Sequence, residues 1–226
     1  IALNIAMDPR FNQMLGFSED DVRQMIRYYK EEGAIKEDVT EDSIIDDIKP
    51  WYDNYCFAEE SFGNEPSMFN SDMVCYYMNN LIGLGSRPKE LVDPNTMTDY
   101  GKLKRLIEID TLEGERLNVV HDITEQGYVY GQIVSHFPAE RMMEFGNFLS
   151  LLYYYGMLTI GGVEGELLKL TIPNNNVRLQ YYHYLLDEYQ SISRVNTTEL
   201  SLYFSRAALH GDWQPLIKYI CRAYHD

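Results

Sequence analysis

The sequence contains few of the residue patterns from which catalytic centres are built. Its three cysteines are widely spaced and form no CxxC pair, and none of its five histidines are spaced i and i+4. A P-loop and a nucleophile elbow are also lacking. We therefore expect no catalytic residue, no metal site and no bound cofactor in this chain. The cysteine usage favours a reducing, cytoplasmic setting.

Long apolar runs are missing too. The longest falls far short of the about 18 residues that would cross a bilayer, and no basic leader precedes it. We expect no membrane contact. An apolar start at Ile1 and an end at Asp226, directly after a helical pattern, suggest that both termini were cut from a longer chain.

Positive charge is scarce: 19 Lys and Arg residues stand against 35 Asp and Glu residues, a net charge of −16. Such a surface repels phosphate backbones, so nucleic acid is an unlikely partner on charge alone. What the chain does have is a hydrophobic fraction of 45% and 19 tyrosines, enough for a core with ring-rich margins.

Helical periodicity dominates the first part of the chain. Apolar positions and caps predict a helix over Ser18–Glu32, a second from Thr40 to about Ile48 that Pro50 halts, and a third after Asn70 or Ser71. A short helix around Leu103–Ile107 is also predicted. The spacing between these elements is typical of a helical bundle.

The second part predicts a helix from near Pro138 to Tyr155, then a hairpin. The strands are Met157–Ile160 and Leu167–Ile172, with Gly161, Gly162 and Gly165 between them as turn residues. A helix from Pro173 and a last helix over Asp212–Ala223 follow. The fold class is thus mainly α: a helical lid-like subdomain (1–98), a winged-helix-like subdomain with a small β-hairpin (99–195) and a C-terminal helical segment (196–226).

Three features keep other functions open. The acidic residues between Glu37 and Asp47 could bind a divalent cation in a metal-dependent hydrolase, although a solvated helix face fits them better. His121 with Asp122 could orient a proton shuttle. The tyrosine clusters 153–155 and 181–184, beside the predicted wing, could stack on bases in a nucleic-acid-binding module, although packing between helices is favoured.

Several segments, taken together and in order, resemble an AAA-ATPase-like family of bacterial proteins, typical of Bacteroidetes and often ending in a PD-(D/E)XK nuclease domain. Leu3–Val22 is similar to the stretch after the family's ATPase core, and Trp51–Phe57 with Phe69–Ser71 is similar to its WYDGYxF and YNPxS elements. Asn54 stands where the family has Gly, and Ser71-Asp72 where it has Pro-Trp. Ser150–Ile160 with Ile172–Asn174, and Gly211–Trp213, complete the match.

The resemblance implies a non-catalytic lid and winged-helix-like segment that relays nucleotide state between an upstream ATPase core and a downstream nuclease-like domain. ATP and magnesium would belong to the parent protein, with Arg10 and Arg23 as candidates to reach the phosphates. The family-motif residues, which the resemblance assigns to structure or to an interface, are Trp51, Tyr52, Asp53, Tyr55, Phe57, Asn70, Gly156, Pro173, Asn174, Asp212 and Trp213.

Overall fold

The computed structural model describes residues 5–93, 100–107, 113–135, 141, 144–192 and 196–225. The chain forms two compact units, Ile1–Tyr181 and Tyr182–Asp226, and the division falls inside one helix, Asn175–Ile192. The subdomain boundaries predicted near residues 98 and 195 lie outside the described residues, so they stay predictions.

Three helices open the first unit: α1 (Glu19–Glu31), α2 (Glu41–Tyr52) and α3 (Ser71–Leu84). Each begins at a side chain that satisfies free backbone N–H groups. Ser18 and Asp21 form a capping box on α1, and Thr40 and Asn70 cap α2 and α3. The predicted positions of all three helices are confirmed to within a few residues.

One stripe of each helix faces a shared core. Its fully buried members include Val22 and Ile26 of α1, Ile48 and Tyr52 of α2, and Met73 of α3. Apolar residues at these spacings lie on one face of a helix, and burying them against each other is the main driving force for a bundle of this kind.

Pro50 does not end α2, contrary to the prediction. The helix continues to Tyr52, and the Asp53 N–H still bonds to the Lys49 oxygen at 3.3 Å. A proline lacks one N–H and strains the preceding turn, a cost that tertiary packing can offset. Here the two residues beyond it are Trp51, partly buried, and Tyr52, fully buried in the core.

The remainder of the first unit combines helices with a small sheet. In chain order it contains α4 (Tyr100–Ile107), α5 (Glu113–Gln126), β1 (Tyr128–Gly131), α6 (Phe148–Tyr154), β2 (Thr159–Glu164), β3 (Leu167–Thr171) and the start of α7 (Asn175–Ile192). Short 3-10 helices lie at Pro9–Phe11, Glu59–Ser61 and Phe145–Asn147.

The sheet is antiparallel with strand order β1-β3-β2, so β3 pairs with both neighbours. The predicted mainly α fold with a small β-hairpin is confirmed; β1 was not predicted. Gly161 and Gly162 lie inside β2 at a register irregularity, and only Gly165 belongs to the turn. Gly161 cannot bear a side chain without displacing Thr171, because a Cβ would lie 2.6 Å from its Oγ1.

Of the helix predicted from near Pro138, residues 138–140, Met142 and Met143 lie outside the described residues. The part that is described becomes α-helical later than predicted, at Phe148, after a bend at residue 144 and the 3-10 helix Phe145–Asn147. Its final turns, α6, end before Gly156 as predicted. Within the described part of the chain, no helix combines the length and apolar content needed to cross a bilayer.

The second unit contains the end of α7 and two further helices, α8 (Thr197–His210) and α9 (Gln214–His225). Asn196 caps α8 by accepting the Glu199 N–H at 3.1 Å, and Gly211 ends it in the left-handed conformation. The last helix starts two residues later than predicted. Helix α8 was not predicted as a separate element.

Candidate functional site

A set of largely buried polar contacts in the first unit surrounds the chain that leaves α2, which we call the junction segment (residues 53–58). It begins with a sharp turn: Asn54 adopts a left-handed φ of 84°. Asn is one of the few residues that tolerate this conformation where the resembled family has Gly. The buried Asp53 carboxylate accepts hydrogen bonds from the Asn54 N–H and, at 2.8 Å, from the Ser67 hydroxyl.

Two reciprocal amide contacts join this turn to the start of α7. The Asn174 side chain donates to the Asp53 carbonyl at 3.0 Å, and the Asn54 side chain donates to the Pro173 carbonyl at 3.0 Å. The Asn174 amide oxygen also caps α7 by accepting the Val177 N–H at 3.2 Å. Residues about 120 positions apart in sequence are thus locked together in the fold.

The middle of the junction segment is held from two sides. Tyr55 pairs with Met68 through two backbone hydrogen bonds of 3.2 and 2.9 Å. The Cys56 N–H donates to the Thr159 hydroxyl oxygen at 2.8 Å, at the start of β2. The Tyr153 hydroxyl of α6 donates to the Phe57 carbonyl at 2.7 Å. Tyr55, Cys56 and Phe57 are therefore each bonded to a different part of the first unit.

Asn12 completes the arrangement, and sequence reasoning did not assign it a role. Its buried amide oxygen accepts the Phe57 and Ala58 N–H groups at 2.8 and 3.1 Å, and its amide nitrogen donates to Glu65 at 2.9 Å. The residue lies within the N-terminal stretch that carries the family resemblance. An Asn directly after the Asp-Pro-Arg-Phe turn was the available signal.

Burial makes the ionisable side chains in and beside the junction segment poor nucleophiles and bases at neutral pH. It raises the pKa of the Tyr55 and Tyr153 hydroxyls and of the Cys56 thiol above their usual ranges. These groups stay protonated at neutral pH, and the Cys56 thiol donates to the Ala58 carbonyl at 3.2 Å. The Tyr153 hydroxyl and the Cys56 thiol act as hydrogen-bond donors rather than as nucleophiles or bases.

A cavity of about 560 Å³, which we call the aromatic groove, opens beside the junction segment. Its walls come from the N-terminal residues 5–16, from the rings of Tyr55 and Phe57, from the start of α3 and from residues 153–156. The Tyr55 and Phe57 rings stack with their centroids 6.0 Å apart. The groove is mostly apolar with a few polar groups, the usual character of a ligand or peptide cleft.

The family-motif residues divide into three groups. Seven meet at the junction segment or the aromatic groove: Asp53, Tyr55, Phe57, Asn70, Gly156, Pro173 and Asn174. Trp51 and Tyr52 instead pack on the three-helix core, where the Tyr52 hydroxyl donates to the Leu91 carbonyl at 2.5 Å. Asp212 and Trp213 belong to the second unit.

In the second unit, Asp212 forms an ion pair with Arg206 at 2.9 Å, while the Trp213 ring is 57% exposed. Further large apolar side chains of α8 and α9 face outward, among them Leu209 at 76% exposure and Ile217 at 54%. An apolar surface of this extent on a small unit is typical of an interface.

Three of the four acidic residues of α2 form ion pairs with basic side chains. Asp42 pairs with Arg23 at 2.8 Å, Glu41 with Arg27 at 2.9 Å and Asp47 with Arg87 at 2.8 Å. Among the described residues, no group of three or more carboxylates, histidines or cysteines is arranged to bind a metal ion. These contacts make α2 an ion-paired helix face.

The two arginines proposed to reach phosphates are also paired. Arg10 lies 2.6 Å from the Asp8 carboxylate and is exposed, and Arg23 bridges Glu19 and Asp42. The hydrogen bonds that Arg23 donates to the Asp42 and Glu19 carboxylates raise the pKa of its guanidinium. Either side chain would have to exchange a carboxylate for a phosphate in order to bind a nucleotide.

The wing and the tyrosine clusters do not form a basic nucleic-acid surface. Glu164 and Glu166 are exposed at the hairpin tip, and Lys169 lies over the Tyr128 ring with its ammonium 4.2 Å from the centroid. Tyr153 and Tyr181 are buried packing residues. Bases stack on aromatic platforms mainly within cationic grooves, which this wing does not provide.

Comparisons with protein-family models, with curated proteins and with solved structures find no match to this chain. The likeness to the AAA-ATPase-like family therefore rests on the sequence motifs alone.

Proposed function

We propose that the chain is the non-catalytic lid and winged-helix-like coupling segment of a larger, cytoplasmic AAA-ATPase-like protein. In this proposal it relays the nucleotide state of an upstream core, which holds ATP and magnesium, to a downstream nuclease-like domain. One observation carries it: motif residues from separate stretches of the sequence, Asp53 to Phe57, Asn70, Gly156 and Pro173-Asn174, meet at one junction.

The contacts of the junction segment suit a relay. It touches the N-terminal stretch through Asn12, the wing through Thr159 and the start of α7 through Asn174. Backbone-anchored hydrogen bonds of this kind transmit displacement, because the buried partners cannot separate without leaving unsatisfied groups. A shift of the N-terminal stretch would therefore displace the start of α7.

The same contacts argue for a structural rather than a catalytic role. The Asp53 carboxylate, which could serve as a base, accepts hydrogen bonds from the Ser67 hydroxyl and from the Asn54 N–H in its own turn. Three carboxylates of α2, those of Glu41, Asp42 and Asp47, form ion pairs with arginines, and the Cys56 thiol has a raised pKa. Groups held in this way are already engaged in structural contacts, whereas a general acid or base must be within hydrogen-bond reach of a substrate.

The exposed apolar faces of α8 and α9 supply a surface for the downstream domain in this proposal. Trp213 is the motif residue on that surface, and its exposure in the present structure leaves the ring free for a partner. Aromatic side chains are the residues that most often anchor interfaces. We therefore assign Trp213 to contact with the nuclease-like domain.

Turnover of ATP with magnesium by this chain alone tests the proposal. We expect none above the rate of a buffer blank. Hydrolysis that a single carboxylate substitution abolishes would overturn it. The coding sequence on either side gives an independent check: a P-loop upstream and an acidic nuclease motif downstream are expected, and their joint absence from the reading frame would contradict the assignment.

A further inference from the structure

A second, smaller cavity continues from the aromatic groove, and we call it the polar pocket. It has a volume of about 100 Å³ and shares Tyr55, Asp72 and Tyr155 with the groove. Its remaining walls include Asn176 and Gln180 from the first turns of α7. The space admits one small head group, while the groove beside it has room for a longer apolar chain.

The polar pocket has acceptors that lack donors. The Asn176 amide oxygen is buried and has no hydrogen-bond partner among the described residues. Asp72 is exposed at its rim, and no ion pair to its carboxylate occurs within the described part of the chain. Buried polar atoms are nearly always paired, so an unpaired one calls for an explanation such as a missing ligand.

We propose that the aromatic groove and the polar pocket together bind a peptide segment through one arginine side chain. The guanidinium enters the polar pocket, and apolar neighbours of the arginine lie along the groove. This proposal does not depend on the coupling function, because it rests on the pocket alone.

The donor pattern of arginine fits these acceptors. A guanidinium carries five N–H donors in one plane and no acceptor, so it can bond to a carboxylate and to an amide oxygen at the same time. It also stacks on aromatic rings, which Tyr55 and Tyr155 supply. A lysine ammonium is a point charge that uses neither the planarity nor the stacking surface.

Charge favours a basic partner. Residues 182–226 hold five acidic and four basic side chains, so −15 of the chain's net charge of −16 falls on Ile1–Tyr181, which contains the pocket. The positive ends of α3 and α7 oppose a cation here, since both helices begin at the pocket. Each end carries about half a unit of positive charge, so the full negative charge of Asp72, in the first turn of α3, roughly offsets the two ends together.

Binding of two capped tripeptides, Ac-Leu-Arg-Leu-NH2 and Ac-Leu-citrulline-Leu-NH2, to the whole chain tests the proposal. Citrulline keeps the planar shape of arginine and loses its charge. We expect the arginine peptide to bind at least about tenfold more tightly in an NMR titration, the worth of one charge-assisted hydrogen bond. The amide signals of Asp72 and Asn176 should shift.

Asp72→Asn should remove that preference. Asp20→Asn is the matched control, because Asp20 is also exposed and occupies the second position of α1 just as Asp72 does in α3. It should leave the preference unchanged. If Asp72→Asn does not fold, the two peptides on the unsubstituted chain still decide the matter.

Equal affinity for the two peptides, or no binding of either at millimolar concentration, would overturn the proposal. So would equal binding of the corresponding lysine peptide, which would indicate a site for any cation. Displacement of the peptide signals by inorganic phosphate at constant ionic strength would show instead that the helix ends dominate and that the pocket takes anions.

Discussion

Replacing Asn174 by serine should separate its two roles. Serine is as good a helix cap as asparagine, so the bond to the Val177 N–H is retained, but its hydroxyl is too short to reach the Asp53 carbonyl. The loss leaves a buried carbonyl without this donor and should lower the free energy of unfolding by about 1 to 2 kcal/mol. Alanine removes the cap as well and should cost about 1 kcal/mol more.

Urea denaturation of the parent chain, Asn174→Ser and Asn174→Ala, followed by circular dichroism, gives these differences in unfolding free energy. The comparison requires that m, the slope of unfolding free energy against urea concentration, is the same for all three. Asn54→Gly provides a partner variant, because glycine keeps the left-handed turn while losing the bond to the Pro173 carbonyl. The double variant Asn54→Gly, Asn174→Ser should lose less than the sum of the single losses, since the two bonds join the same pair of segments. A serine variant as stable as the parent chain would refute this account of the junction.

Three further predictions concern the surrounding structure. Tyr52→Ala should destabilise the chain by about 3 to 5 kcal/mol because its ring is fully buried, whereas Trp51→Ala should cost only about 2 kcal/mol because its ring is partly buried. Thermal melts of the two variants compare these losses. Equal losses would contradict the packing described for the two rings. Gly16→Ala should lower the free energy of unfolding by at least about 2 kcal/mol, since φ is +93° and a Cβ would lie 2.5 Å from the Phe69 backbone oxygen. Gly33→Ala is the control: φ is +72° but the space around it is open, so the expected cost is about 1 kcal/mol. Similar losses for the two variants would argue against the close approach at Gly16. Hydrogen bonds from Lys49 and Arg23 lower the pKa of Glu19 in the folded state, so the unfolded state binds more protons in acid. The stability that Glu19 contributes is therefore present above about pH 4.3 and lost as the pH falls below it. Glu19→Gln should flatten that part of a curve of unfolding free energy against pH.

The local signals in the sequence predicted local structure well. Ser18 with Asp21, Asn70 and Asn174 each cap the helix that they were expected to begin, because capping depends on residues within one turn. Asn54, which stands where the resembled family has Gly, adopts a left-handed turn. These features need no information from distant parts of the chain.

Non-local pairing was the part that the sequence could not predict. The strand β1 has only four residues and pairs with β3 about forty positions later, so no adjacent turn marks it. Helix α5 places Arg116 at a fully buried position, which breaks the apolar stripe that reveals a helix. Gly161 and Gly162 were interpreted as a turn because glycine pairs usually mark one, whereas here the irregular register of β2 needs them.

The candidate site shows the same division. The family motifs indicated Asp53, Tyr55 and Asn174, but periodicity and charge gave no reason to bring them together. Asn12 was missed because a single asparagine before an irregular stretch carries no spacing pattern. Its role follows only from the Phe57 and Ala58 N–H groups that turn toward it.

Native-state hydrogen exchange gives the most direct test that the junction behaves as one body. The amides of Tyr55, Phe57 and Val177 donate to Met68, Asn12 and Asn174, three different parts of the first unit. If the junction opens as a unit, their opening free energies should agree within about 0.5 kcal/mol, and Asn174→Ser should lower all three together. A Val177 amide that exchanges while Tyr55 and Phe57 stay protected by a further 2 kcal/mol or so would show independent segments and contradict a coupling role.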